Sequence, residues 1–253
     1  YVTDLSGYEN NGSSYGDAGD SDSGVNCTDA AFGCSRMFDG TGDYLNVGNI
    51  NANLTSISFW AYFPSQVTNA FSCQEIFKYG SYNDANDQES ILIGSCSAFA
   101  TDETLMIGGG SSPNYKRTYI KDNIDVGWHN FVIYWDVLGG EYNFVIDGVE
   151  RTVYSGGDGG AVTPTIVDDF EIANGANSVS FASFIGSIDE LRIYNRSLSA
   201  DEVYMLYVSN LNKYDADSWN LYVNQSLNAT DVLTTSNYTY FTYVKDDGGY
   251  ENM

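Results

Sequence analysis

The most constraining feature of this chain is the stretch FIGSIDELRIYNRSLSADEVYMLY at residues 184–207. Apolar and charged residues are interleaved over residues 188–193, a pattern that predicts a strand lying against a core. Ser199 is followed three residues later by Glu202, a capping box, so a short helix is predicted to begin there. A strand that leads into one short helix is a recognisable ending for a β-sheet domain.

The rest of the chain reads as strands separated by polar turns. Hydrophobic residues make up 43% of the 253 positions, and 26 glycines against 3 prolines fit many turns, so the composition favours an all-β fold. In LTSISFWAYFPS the alternation places Ile57 and Phe59 on one face and Trp60 and Tyr62 on the other. Because both faces are partly apolar, this segment is predicted to be a central strand covered on each side.

The charge of the chain excludes some classes of partner. Its 34 acidic and 10 basic residues give a formal net charge of −24, which argues against nucleic acid and anionic membranes, since Lys and Arg make those contacts. No apolar run approaches the roughly 20 residues needed to span a bilayer, so no membrane insertion is expected for this chain. No signal peptide precedes Tyr1, which indicates a processed or excised piece.

Cysteines and glycosylation sequons indicate a secreted chain, extracellular or at a cell surface. Four cysteines allow three pairings, and the preferred one joins Cys27 to Cys34 across a short loop and Cys73 to Cys96 across a hairpin. The seven N-x-[ST] sequons, which predict surface glycosylation, are Asn11, Asn26, Asn53, Asn195, Asn224, Asn228 and Asn237.

Four segments resemble those of one family. IDELRIYNRSLS at 188–199 is similar to the closing strand of the laminin-G-like, concanavalin A-like jelly rolls, and RMFDGTGDYLNVGN at 36–49 is similar to their F-D-G-x-x-D-Y-L hairpin. The hairpin at 127–155, with W-H near its start and D-G at a turn, and the opening DLSGYENNG at 4–12 carry the same resemblance. It covers residues 1–209 and implies a two-sheet sandwich of about a dozen strands with one short C-terminal helix.

Residues 210–253 differ in composition and read as strand, sequon-rich turn and strand. The segment LTTSNY at 233–238 resembles the L-x-x-G-x-Y tyrosine corner of immunoglobulin-like modules. Such a module needs about seven strands and only two or three can be drawn here, so a partial module is predicted, completed by residues or subunits outside this chain. Its unpaired edges would favour self-assembly by strand pairing.

The family resemblance implies a structural calcium ion where the entry segment meets the closing strand. The residues that it places there are Asp4, Asn10 or Asn11, Asp39 and Asp189. Their oxygens are ligands that Ca²⁺ accepts, and its binding would add to the stability of the fold. The alternative is that Asp39 and Asp189 only cap turns or accept bonds from backbone amides.

The sequence argues against an enzyme. Glycoside hydrolases of this fold carry E-x-D-x-E on one strand, whereas DDFE at 168–171 and IDE at 188–190 offer one acidic pair each at best. His129, the only histidine, begins a strand and is predicted to be packed there, and no G-x-S-x-G nucleophile elbow occurs. No catalytic residue is predicted.

Two functions of different classes remain nearly level. The first is a lectin-like, non-catalytic module for adhesion or glycan binding, stabilised by calcium, in a cell-surface glycoprotein. Its candidate ligand-stacking residues, all near turns, are Tyr79, Tyr82, Tyr115, Tyr119 and Trp135. The second is a structural protomer of an extracellular filament, sheath or surface layer assembled by strand pairing between neighbouring subunits.

Overall fold

The chain forms a two-sheet jelly-roll sandwich with one short helix among the described residues, which confirms the predicted fold class. The computed structural model describes residues 2–4, 8–16, 25–26, 30–31, 34–50, 54–68, 72–79, 90–93, 104–109, 116–136, 141–157, 169–175, 182–213, 219–223, 244–245 and 251–252.

The larger sheet has nine strands. They are β1 (Ser13–Tyr15), β4 (Tyr44–Gly48), β6 (Gln74–Lys78), β7 (Ser90–Ile93), β8 (Leu105–Gly109), β9 (Lys116–Ile120), β13 (Tyr154–Gly157), β14 (Phe170–Ile172) and β15 (Ala182–Ser183). Their order is β1-β4-β14-β6-β7-β8-β9-β13, and β15 adds to β6 in parallel, the other pairs being antiparallel. This order brings β4 and β14 together although more than a hundred residues separate them.

The smaller sheet has seven strands. They are β2 (Val25–Asn26), β3 (Ser35–Asp39), β5 (Ser56–Phe63), β10 (Gly127–Asp136), β11 (Glu141–Ile146), β12 (Val149–Glu150) and β16 (Ile185–Tyr194). The order β12-β11-β10-β5-β16-β3-β2 puts β5 in the middle, paired with β10 on one side and β16 on the other. The predicted central strand at LTSISFWAYF is therefore confirmed.

Aromatic residues hold the two sheets together. Phe59 of β5 contacts Phe77 of β6 edge to face, with ring centroids 4.8 Å apart, and stacks on Phe131 of β10 at 5.0 Å. Phe77 also contacts Phe170 of β14, and all four rings are fully buried. The hydrophobic core thus lies between the sheets, where each buried aromatic side chain contributes about 2 kcal/mol or more by burial.

The closing strand and helix lie where the sequence predicts them. The helix α1 (Ala200–Val208) begins at a complete capping box, because Glu202 N donates to Ser199 Oγ and Ser199 N donates to the Glu202 carboxylate. Val203 on α1 packs against Val132 and Val145, which face outward from the seven-stranded sheet. The helix therefore covers the part of that sheet's outer face formed by β10 and β11.

One glycine shows how tightly the helix end meets this sheet. Gly148 follows Asp147 in the turn between β11 and β12, and both residues have positive φ, 72° and 54°. A Cβ at Gly148 would lie 2.7 Å from Cδ1 of Tyr207 on α1. Only glycine meets both the backbone conformation and this close contact.

The C-terminal segment contains β17 (Ser209–Lys213), β18 (Trp219–Val223), β19 (Val244–Lys245) and β20 (Glu251–Asn252), which pair as β17 with β18 and β19 with β20. The predicted tyrosine corner at 233–238 lies outside the described residues. An immunoglobulin-like module at 210–253 therefore stays a prediction.

Candidate functional site

Three strands of the nine-stranded sheet bring polar side chains into one row on its outer face. Asn46 of β4 pairs with Glu171 of β14, which pairs with Lys78 of β6. Lys78 Nζ lies 3.0 Å from Glu171 Oε2, and Asn46 Nδ2 donates to Glu171 Oε1 at 3.3 Å. Asn174 Nδ2 donates to the same Oε2 at 3.0 Å. Both oxygens of the Glu171 carboxylate are thus engaged by protein donors.

The backbone around Glu171 explains why these groups converge. The pairing of β14 with β4 shifts register between Phe170 and Glu171, and Ala173 just after β14 adopts φ 65°. This turn brings Asn174 back over its own strand. On β4, Gly48 N donates to Asn46 Oδ1 at 2.7 Å, which fixes the amide so that its Nδ2 faces the carboxylates of Asp169 and Glu171. Only 12% of the Glu171 side chain and 18% of the Lys78 side chain are exposed.

A pair of stacked tyrosines borders this polar network. Tyr15 of β1 pairs with Tyr44 of β4, and their rings lie 4.6 Å apart and 3° from parallel. Burial raises the pKa of Tyr44, and the nearby charge of Glu171 raises it further. Tyr15 is 45% exposed, so the outer ring of the pair faces solvent.

A second pair of tyrosines lies at the other end of the same face. Tyr119 of β9 pairs with Tyr154 of β13, with ring centroids 5.7 Å apart and 23° between the planes. Lys121 Nζ lies 4.5 Å from the Tyr154 centroid, and Arg117 Cζ lies 5.5 Å from that of Tyr119. Cations at these distances are attracted to the ring faces. Tyr154 is 40% exposed.

The five predicted ligand-stacking residues have different outcomes. Tyr119 lies in the site. Tyr79 is fully buried in the core, so the expectation that it stacks on a ligand is wrong. Trp135 is half-buried, packs against the core and contacts Tyr142 edge to face at 4.9 Å, on the other sheet. Tyr82 and Tyr115 lie outside the described residues.

The residues predicted to share a calcium ion do not lie together. Asp39 pairs with Ile185 of β16, so Asp189 lies four residues, about 13 Å, further along that strand. Asp4 lies two residues after Val2, which forms a bridge with Gly12 next to β1 of the other sheet, near the Gly48 end of β4. Asp39 precedes the opposite end of β4. Within the described part of the chain, no three His, Cys, Asp or Glu side chains form a metal-binding group. The shared site is therefore wrong, and calcium binding itself stays untested.

Each predicted ligand has a local structural role instead. Asp4 Oδ2 accepts from Asn10 N at 3.0 Å, and Asn11 Oδ1 accepts from Asp4 N at 2.9 Å, so these three residues close the entry loop. Asp39 Oδ1 accepts from Thr41 N at 2.6 Å, which caps a turn. Asp189 Oδ1 accepts from Glu190 N at a bulge in β16. The alternative left open by the sequence, carboxylates that bond backbone amides, describes Asp39 and Asp189.

The cysteines and sequons are only partly described. Cys34 and Cys73 lie within the described residues and neither is a free thiol, whereas Cys27 and Cys96 lie outside them, so the pairing stays a prediction. The side chain of Asn195 is exposed and that of Asn11 is half-buried. The side chains of Asn26, Asn53, Asn224, Asn228 and Asn237 lie outside the described set.

His129 lies in the seven-stranded sheet, away from the polar network. Its Nδ1 is 2.6 Å from Asp147 Oδ2, and its Nε2 is 3.0 Å from the carbonyl oxygen of Asp125. The bond to Asp147 raises the pKa of His129, although burial lowers it in part. A histidine with acceptors at both nitrogens is placed to join β10 to the turn that follows β11.

Sequence reasoning missed most of the site. The residues that it did not identify are Tyr15, Tyr44, Asn46, Lys78, Tyr154, Asp169, Glu171 and Asn174. The alternation in DYLNVG and KRTYIK indicates which residues share a face, and this signal could have singled out Tyr44 with Asn46 and Arg117 with Tyr119. The sequence does not show which distant strands lie beside β4 and β9.

The fold defines a class, the two-sheet jelly-roll sandwiches. The family described as the concanavalin A-like lectin/glucanases superfamily, Laminin_G_3, matches residues 39–204. The chain belongs to this family. No curated protein matches the chain, and within the described residues no helix is long and apolar enough to cross a bilayer.

Solved structures of the same fold are distant in sequence. Domain 4 of AbnA, a GH43 extracellular arabinanase from Geobacillus stearothermophilus, in complex with arabinotriose, has 23% identity and a TM-score of 0.53, covering 78% of this chain and 88% of its own. The botulinum neurotoxin serotype D binding domain has 17% identity and a TM-score of 0.53, covering 81% of this chain and 48% of its own. A structure of botulinum neurotoxin type C, whose cell entry depends on two ganglioside molecules, has 14% identity and a TM-score of 0.53, with 81% and 47% coverage. The chain spans about half the length of the two toxin structures.

Proposed function

We propose that this chain is a non-catalytic glycan-binding module that binds an oligosaccharide across the outer face of the nine-stranded sheet. The observation that carries the proposal is the arrangement of two tyrosine pairs on either side of the Glu171 network. The apolar face of a sugar ring stacks on aromatic rings, and its hydroxyls bond to carboxylates and amides. This face supplies both kinds of group.

The spacing of the sheet suits an extended ligand. The inner members of the two pairs, Tyr44 on β4 and Tyr119 on β9, are five strand spacings apart in the sheet order. At about 4.8 Å per spacing this is roughly 24 Å, longer than a single sugar. Glu171, Lys78 and Asn46 lie close to the first pair, so hydrogen bonding is concentrated at one end of the face.

The contacts of Glu171 favour binding over hydrolysis. A retaining glycosidase needs two carboxyl groups about 5 Å apart that can reach the substrate. Asp169 and Glu171 do share the Asn46 Nδ2 donor, but Glu171 is also held by Lys78 and Asn174. A carboxylate fixed by three donors is suited to stay in place and accept hydrogen bonds.

The comparisons and the sequence support the wider setting of the proposal. The description of the family names both lectins and glucanases, and the similar AbnA domain was solved with arabinotriose. The seven sequons and four cysteines support an extracellular or cell-surface glycoprotein, in which glycan binding would serve adhesion.

A glycan array with the whole chain tests the proposal, followed by titration of the best binder with Tyr15→Ala and Tyr154→Ala variants. Each loses a stacking platform, so the affinity is expected to fall about tenfold. Tyr204→Ala is the matched control, since Tyr204 is 49% exposed but lies on α1, over the other sheet. An equal loss in all three variants, or an array with no binder, would contradict the proposal.

The second candidate function is a structural protomer assembled by strand pairing. Among the described strands, β17 and β18 form a sheet of their own that joins neither large sheet. Isolated two-stranded ribbons are marginally stable and have open edges that accept further strands. Measuring the molecular mass in solution, with calcium and with chelator, tests this candidate, and a monomer under both conditions would exclude it.

A further inference from the structure

One strand carries a large share of the positive charge in this acidic chain. Of its ten Lys and Arg residues, Lys116, Arg117 and Lys121 lie in or directly after β9. Ile120 of the same strand is buried in the core between the sheets. Because side chains alternate along a strand, Arg117, Tyr119 and Lys121 lie on the outer face, beside Tyr154.

The two outward cations have different roles. Arg117 is only 9% exposed, and its guanidinium lies against Tyr119, so it positions that ring. Lys121 is exposed, with Nζ 4.5 Å from the Tyr154 centroid and 5.9 Å from that of Tyr119. Its ammonium therefore lies over the Tyr154 ring, beside the tyrosine pair on which a sugar would stack.

Charge complementarity then indicates what kind of sugar this end accepts. At physiological ionic strength the screening length is about 8 Å, so an anionic group in contact with Lys121 interacts with that ammonium while distant acidic residues are largely screened. A chain with a net charge of −24 binds an anion only where basic residues cluster. Neutral glycans gain nothing from the ammonium.

We infer that the β9 end of this face selects a negatively charged glycan, whose carboxylate or sulfate contacts Lys121 while its ring stacks on Tyr119 and Tyr154. This inference rests on the proposed glycan-binding function and adds the ligand class. Glu171, Asp169 and Lys78 form the hydrogen-bonding end of the same face, and the β9 end supplies the recognition of an anion.

The test uses a glycan array that pairs neutral glycans with their sulfated, sialylated or uronic-acid counterparts, probed with the whole chain. The acidic member of a pair is expected to bind about fivefold more tightly, which is the effect of one exposed ion pair. The Lys121→Gln variant is expected to lose this difference. Arg196→Gln is the control because it removes the same charge on the opposite side of the sandwich, where Arg196 pairs with Glu202. It should keep the preference.

The outcomes separate this inference from the proposed function. Binding to neutral glycans alone would overturn the charge preference and leave glycan binding standing. An acidic preference that Lys121→Gln does not alter would overturn the placement at β9. An array without any bound glycan would overturn both. Thermal unfolding of each variant identifies any loss of binding that comes from loss of folding.

Discussion

The outer faces of the two sheets are used in opposite ways. On the seven-stranded sheet, α1 covers the face, and the contact is apolar, with Val132, Val145, Leu198 and Val203 buried together. On the nine-stranded sheet, tyrosine pairs lie at both ends, and the polar network around Glu171 lies on β4, β14 and β6, next to the first pair. One face is closed by hydrophobic burial and the other presents hydrogen-bonding and aromatic groups.

This difference follows from where the closing helix leaves the sheet. The β16 strand belongs to the seven-stranded sheet, and the short connection after Tyr194 allows α1 to pack only on that sheet's outer face. The aromatic contact between Trp60 of β5 and Tyr207 of α1, 6.1 Å between centroids, belongs to the same closure. Among the described residues no helix packs on the nine-stranded sheet, so its outer side chains do not have to form an apolar contact with a helix.

The largest expected effect tests the closure by α1. Val203→Asp places a carboxylate in the apolar contact with the seven-stranded sheet, where Val203 is 6% exposed. Burying an unpaired charge there should lower the free energy of unfolding by about 3 kcal/mol, measured by urea denaturation. Met205→Asp is the control on the same helix. Met205 is 51% exposed, so its replacement should cost less than about 0.5 kcal/mol. Equal effects would mean that α1 does not close this face.

The second effect compares one ion pair from each face. Glu171→Gln leaves Lys78 without its carboxylate partner and weakens the hydrogen bonds from Asn46 and Asn174. The free energy of unfolding should therefore decrease by about 2 kcal/mol. Glu190→Gln removes a pair with Arg192 on the seven-stranded sheet, where Arg192 is 32% exposed. This control should cost less than about 1 kcal/mol. Denaturation midpoints at pH 7 measure both, and a larger loss in Glu190→Gln would reverse the comparison.

Elements with a local signal could be predicted from the sequence. The capping box at Ser199 and Glu202 is a short-range interaction, and the structure places α1 directly after it. The two-sided apolar pattern at residues 56–63 predicts a central strand, because only burial on both faces accounts for it. Such elements depend on residues close together in the chain, so one sequence is enough to find them.

The site could not be predicted because it depends on register between distant strands. Asn46 and Glu171 are 125 residues apart, and no local pattern shows that β4 and β14 are neighbours. The error at Tyr79 has a similar origin. The pairing of β6 with β7 shifts between Glu75 and Phe77, which changes the alternation, and Tyr79 lies in the core. The predicted calcium ligands do not lie together, because the segments that resemble the family's motifs lie at different ends of the strands, and calcium binding itself stays a prediction.

A third prediction concerns pH and the only histidine. The bond to Asp147 raises the pKa of His129 above its ordinary value of 6.5, so the folded protein favours the imidazolium. This contribution to stability is complete below pH 6.5 and is lost as the pH rises through the raised value. The melting temperature should therefore decrease as the pH is raised from 5.5 to 8.5. His129→Gln should flatten the profile, and an unchanged slope would show that this contact does not stabilise the seven-stranded sheet.

The smallest expected effect lies at the start of α1. The Arg196 side chain and the Ser199 amide lower the pKa of Glu202 from 4.5 to about 2, so its charge stabilises the folded state above pH 4.5 and this contribution is lost as the pH falls through about 2. Glu202 is 42% exposed and screened by solvent, so Glu202→Gln should cost only about 0.5 kcal/mol at pH 7. Asp201→Asn is the control in the same helical turn, since it keeps the capping box. If Glu202→Gln lowered the free energy of unfolding in urea as much as Val203→Asp does, the cap and not apolar burial would hold the helix on the sheet. Apolar burial would then not explain the contrast between the two faces.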